Sequence, residues 1–104
     1  MAIPVLPLAL LVPLVVAVSD TVPVWNYEPS CRGGMDAGSN QTQRLQKCLG
    51  EEAAARTKLQ ASWTQYPAKD RTVCADTAKL GTPSYVELLT CLELARDAAK
   101  MPKN

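Results

Sequence analysis

The residue types that could do chemistry are few, and the missing ones decide most. The chain has no histidine, which removes the commonest general base, metal ligand and triad member. Carboxylates remain. Glu51 and Glu52 are adjacent and would diverge on a helix, while Glu93 and Asp97 would form a like-charge pair one turn apart. Neither has the facing geometry of a glycosidase dyad, and both are expected to be solvated. The glycines at 33, 34, 38, 50 and 81 lack the lysine and strand context of a phosphate loop. Asn40-Gln41-Thr42 matches a glycosylation sequon but reads as a helix start. No catalytic residue, no metal site and no cofactor is assigned, and the expectation is a protein that is not an enzyme.

Cys31, Cys48, Cys74 and Cys91 are the other reactive set. A zinc site needs ligands two to four residues apart and a thioredoxin-like site needs Cys-x-x-Cys, so these long spacings fit neither. An even count in a short chain points to structural disulfides in an oxidising compartment. The amino-terminal residues supply a route there. Residues 1–19 (MAIPVLPLALLVPLVVAVS) carry no charged side chain, and their apolar run from Ile3 to Val18 is broken by Pro4, Pro7 and Pro13. A membrane span needs about 20 apolar residues. The segment therefore reads as a signal peptide, with Ala17-Val18-Ser19 as the small-residue cleavage site before Asp20. The localisation expected is periplasmic or secreted, with no stable membrane span after cleavage.

With 104 residues, 47% of them hydrophobic, and 11 basic against 10 acidic side chains, the chain is at most one small domain with a nearly neutral surface. Basic clusters interleaved with aromatics are absent, so nucleic acid is not an expected partner. Residues 20–40 are rich in Pro, Gly, Ser and Asp and read as an irregular arm tied down at Cys31 alone. Trp25 and Tyr27 within it have two readings, a partner-binding patch or an arm folded back over the helices, of which the second is expected.

The helical domain occupies residues 41–101. Its first helix starts after Ser39 or Asn40, ends at Pro67, and is apolar at Leu45, Cys48, Leu49, Leu59, Trp63 and Tyr66. That stripe passes over Glu52 and Arg56, an i to i+4 pair expected as an exposed salt bridge, with a partly buried pair that sets helix register as the alternative. A second helix covers Ala68 to Leu80, burying Val73, Ala75, Ala78 and Leu80, with Gly81 as its cap. The third opens at Thr82-Pro83, or through a Ser84/Glu87 capping box, and is apolar at Tyr85, Leu88, Leu89, Leu92 and Ala95. The fold class expected is all-α, a small three-helix bundle stapled by two disulfides and preceded by the arm and signal peptide.

Cys74 and Cys91 would lie at about 9 and 12 Å from the short turn joining the last two helices, near enough to level for a bridge. The arm can lead Cys31 back to Cys48. These two pairs are the preferred connectivity, with Cys48–Cys91 and Cys31–Cys74 left open. Each bridge would contribute roughly 3 kcal/mol by loop-closure entropy.

Cys48, the run Glu51-Glu52-Ala53-Ala54-Ala55-Arg56, Trp63-Thr64-Gln65-Tyr66-Pro67, Arg71, Cys74 and PSYVELLTCLELARDA together resemble a group of small exported alphaproteobacterial proteins of unknown function. The likeness covers about residues 31–99. It implies a periplasmic helical domain and brings no catalytic residue with it. Cys31, Cys48, Leu59 and Tyr66 also resemble the pattern of LprI-type lysozyme inhibitors, which implies an inhibitor of a cell-wall lytic enzyme. The leading functional expectation is a monomeric, non-enzymatic protein-binding module whose partner is an envelope protein. Trp25, Tyr27, Arg56 and Arg71 are its candidate partner-binding residues, because aromatics and arginines anchor interfaces, although Trp63 beside them reads as core. The alternatives are the lytic-enzyme inhibitor and a structural or stress-protective protein with no defined ligand. A contiguous exposed apolar patch would favour binding.

Overall fold

A computed structural model describes residues 20–33 and 40–102; the expected signal peptide, and Ser39 as a helix cap, lie outside them. The described residues form four α-helices, α1 (Glu28–Arg32), α2 (Gln41–Ser62), α3 (Ala68–Ala78) and α4 (Tyr85–Ala99), with a 3-10 turn over Trp63–Gln65 and no strand. The architecture is the expected all-α one with both preferred disulfides, Cys31–Cys48 and Cys74–Cys91, each with its Cα atoms 5.6 Å apart.

Helix α4 is the centre of the molecule, packing against α2 on one side and α3 on another, while α1 rests on α2. Its apolar positions recur at helical spacing, so Tyr85, Leu88 and Leu92 point the same way and are fully buried. They meet Ala55, Leu59, Trp63 and Tyr66 from α2 and the turn after it, and Cys74 and Ala78 from α3. Fully burying a leucine contributes on the order of 2 kcal/mol, and three leucines here are fully buried.

Several boundaries differ from the expected ones. Helix α2 stops at Ser62 and tightens into the 3-10 turn, because Pro67 has no N–H to continue the ladder and Tyr66 before it is extended (ψ 140°). Asn40 takes the N-cap position of α2 with a left-handed φ of 89° and no side-chain cap bond, its carbonyl accepting from the Arg44 N–H. Helix α3 ends at Ala78 rather than Leu80. The chain then reverses through Gly81, whose φ of +75° suits a residue without Cβ, and the Ser84 N–H returns to the Ala78 carbonyl at 3.2 Å. Of the two openings considered for α4, the Ser84 one forms: its Oγ accepts from the Glu87 N–H at 3.2 Å.

Residues 20–33 of the arm are better anchored than their composition suggests. Pro29 at the start of α1 has the fixed φ a helix start needs, and five residues of helix form where irregular chain was expected. Cys31 is not its only attachment. Val22 joins the core, Pro23, Trp25 and Tyr27 are half-buried, and Val24 and Asn26 between them face out, the alternation of an extended segment laid on a surface.

Candidate functional site

Two contacts made to and by the start of α4 position the surface that follows. The first is Glu52, which the sequence placed beside Arg56 as an ion pair. No ion pair joins them; exposed pairs form elsewhere, at Glu28–Arg32, Lys47–Glu51 and Asp76–Lys79. Glu52 is buried instead, and its carboxylate accepts from the Tyr85 N–H at 3.1 Å, the Val86 N–H at 2.9 Å and the Ser84 hydroxyl at 3.2 Å. The first N–H groups of a helix have no partner within it and carry partial positive charge, so a buried carboxylate there is satisfied on both counts. This capping fixes the start of α4 against the middle of α2.

The second is Tyr85, which fixes the arm. Its hydroxyl donates to the Pro23 carbonyl and accepts from the Trp25 N–H, both at 2.7 Å. Trp25 stacks on its ring at 5.3 Å, Tyr27 meets it edge-on at 5.7 Å, and the Arg56 guanidinium lies over it at 5.7 Å. Three of the four candidate partner-binding residues therefore converge on one buried tyrosine. Arg56 Nε is buried with no hydrogen-bond partner, which leaves the ring face as its electrostatic neighbour. The fourth, Arg71, is itself buried, over the Trp63 ring at 5.7 Å. These side chains hold the arm and helices together, in line with the folded-back reading of Trp25 and Tyr27. A cleft of about 370 Å³ between the arm and α2, walled by Val22, Arg56, Gln60 and Trp63, is the seam they leave.

No family model, curated protein or solved structure matches the chain. The candidate site accordingly rests on the geometry of its own surface.

That surface is the outer face of the α3–α4 hairpin. Taking the Cys74–Cys91 bridge as the line where the two helices meet, helical spacing puts Arg71, Ala75 and Ala78 of α3 and Tyr85, Leu88 and Leu92 of α4 to one side, toward the core. The same spacing puts Val73 and Thr77, with Val86, Thr90 and Leu94, to the other side, and Leu80 follows two residues past the end of α3. The burial expected for Val73 and Leu80 is thereby corrected: they are 55% and 73% exposed, because α3 ends early and turns Arg71, its cysteine and its alanines inward rather than its larger apolar side chains. Leu94 is 63% exposed. Between the helices on this side runs a groove of about 450 Å³, lined by Thr77, Val86, Glu87, Thr90, Cys91 and Leu94. Its two threonines donate to the carbonyls one turn behind, Thr77 to Val73 at 2.9 Å and Thr90 to Val86 at 2.7 Å, so their hydroxyl protons are taken up within their own helices.

The sequence reading missed these residues. A second i, i+4, i+8 series, Val86, Thr90 and Leu94, was present beside the core stripe of α4, and an all-round apolar character is the signal that a helix has two faces to cover.

Proposed function

We propose that this protein is a non-enzymatic protein-binding module of an oxidising, extracytoplasmic compartment, and that it binds through the outer face of the α3–α4 hairpin. The carrying observation is the groove walled by Val86 and Leu94, with exposed Val73 one turn before Thr77 and exposed Leu80 just past the end of α3. Scattered single hydrophobics on a surface carry no meaning, but exposed apolar side chains gathered at one groove of a small domain are the pattern of an interaction site. Two disulfides stapling a short chain support the compartment, since such bridges persist where thiols are not kept reduced. The residues first assigned to a partner, Trp25, Tyr27, Arg56 and Arg71, serve the internal packing under this reading.

The test is site-specific photo-crosslinking in the source cell, with the photoreactive side chain placed at Thr90 in the groove or at Thr57 on the exposed side of α2. A discrete adduct identified by mass, formed from position 90 and absent from 57, is the expected result. The same adducts from both positions, or none from position 90, would overturn the proposal.

A further inference from the structure

The outer face of the hairpin has a one-sided charge as well as an apolar track. The hairpin's two arginines lie over aromatic rings on the core side of the hairpin, the buried Arg71 over Trp63 and the exposed Arg96 over Tyr66 at 5.2 Å. Lys79 is held by Asp76 at 3.3 Å. The acids are not matched in this way. Glu87 lines the groove, and Asp97 follows Leu94 by one turn on the same side of α4. Lys69 and Lys100 lie at the end away from the Leu80–Ser84 turn, and Lys58 lies on the α2 side of Val86 and Thr90, so the groove's own lining has a carboxylate and no cation.

Resting on the reading above, we infer that the occupant of this groove is a single amphipathic helix with Lys or Arg flanking its apolar stripe. Three observations select it. A groove between two packed antiparallel helices is the place where a bundle accepts a further helix, whose ridge of side chains enters between theirs. With 11 residues in α3 and 15 in α4, the track is about 16 to 22 Å long, enough for three to four turns. An extended peptide needs main-chain partners, and here the threonine protons are already donated to Val73 and Val86, so a segment that satisfies its own backbone is favoured. The carboxylates then select basic flanks by complementarity. A second copy of the chain is the poorer occupant, because an antiparallel pairing of two α4 helices about Thr90 brings Glu87 of each level with Glu93 of the other.

The test titrates the full, disulfide-intact protein with two fluorescein-labelled peptides of roughly 15 residues, capped at both ends, with leucines at i, i+3, i+4 and i+7 and either lysine or glutamate at the flanking positions. Anisotropy is read at low salt and at ~150 mM. The lysine peptide should bind one to one and at least about tenfold more tightly than the glutamate peptide, with a margin that narrows as salt rises. Leu94→Ser should weaken it about tenfold, and Glu87→Lys should remove the discrimination; both positions are exposed, and a circular dichroism melt confirms that each variant is folded. Binding of neither peptide, lysine-peptide binding untouched by Leu94→Ser, or a dimer that Leu94→Ser dissociates would overturn the inference. Equal binding of both peptides, lost in Leu94→Ser, would also overturn it while leaving the groove a protein-binding surface. Failure of that broader reading shows separately, as the absence of a Thr90 adduct.

Discussion

The Glu52 carboxylate lies 32 to 34 positions away in sequence from the three groups that donate to it. That distance is why its role could not be read locally: the only partner visible within a helical turn was Arg56, which in the structure faces the Tyr85 ring. A sequence pattern records neighbours at i+3 and i+4, whereas a cap delivered by another helix depends on the tertiary fold. Replacing Glu52 with alanine would strip the buried Tyr85 N–H, the partly buried Val86 N–H and the Ser84 hydroxyl of their acceptor. The expected cost is about 3 kcal/mol, seen as a fall in melting temperature on the order of 15 °C, with Glu52→Gln in between because it keeps one acceptor oxygen. Tyr85→Phe is a finer probe, since it removes only the hydroxyl that links Pro23 and Trp25. It should destabilise by about 2 kcal/mol and speed hydrogen exchange at the Trp25 amide more than at the Leu59 amide in α2.

At the scale of elements, the helices and the staples were largely legible. The 3.6-residue recurrence of Tyr85, Leu88 and Leu92 marked α4, the two prolines at 67 and 83 bracketed α3, and equal cysteine spacings across a tight turn pointed to Cys74–Cys91. Helix α1 was hidden because five residues with one proline carry too little periodicity to register. The end of α3 was missed for another reason. Val73 and Leu80 are apolar and were assigned inward, but the register of α3 is fixed by the bridge at Cys74 and by Ala78, which face α4 and leave Val73 and Leu80 outside. The two bridges should differ in their effect. Cys74→Ser with Cys91→Ser loosens a hairpin of two long helices, while Cys31→Ser with Cys48→Ser frees only α1 and the arm from α2. Each pair should cost up to about 3 kcal/mol, and only the first should expose Leu88 and Leu92, detectable as faster exchange along α4 in the hydrogen-exchange pattern.

Over the whole molecule, charge varies from one surface to the next. The hairpin groove is lined by Glu87 and no cation, whereas the flank where Val86 and Thr90 meet α2 carries Lys58 beside Glu51. A nearly neutral composition does not show that difference, because net charge sums over all surfaces. The apolar track on the acidic side contributes little to folding, since its side chains already face solvent. This makes folding and binding separable in Leu94→Ser, which should leave the melting temperature within about 2 °C of the parent. The most direct measurement is therefore the yield of the Thr90 photo-adduct in the folded Leu94→Ser protein relative to the parent. A loss of most of the adduct is predicted, because the groove would have lost its largest exposed apolar contact. An undiminished adduct would contradict the account, placing the contact elsewhere on the surface.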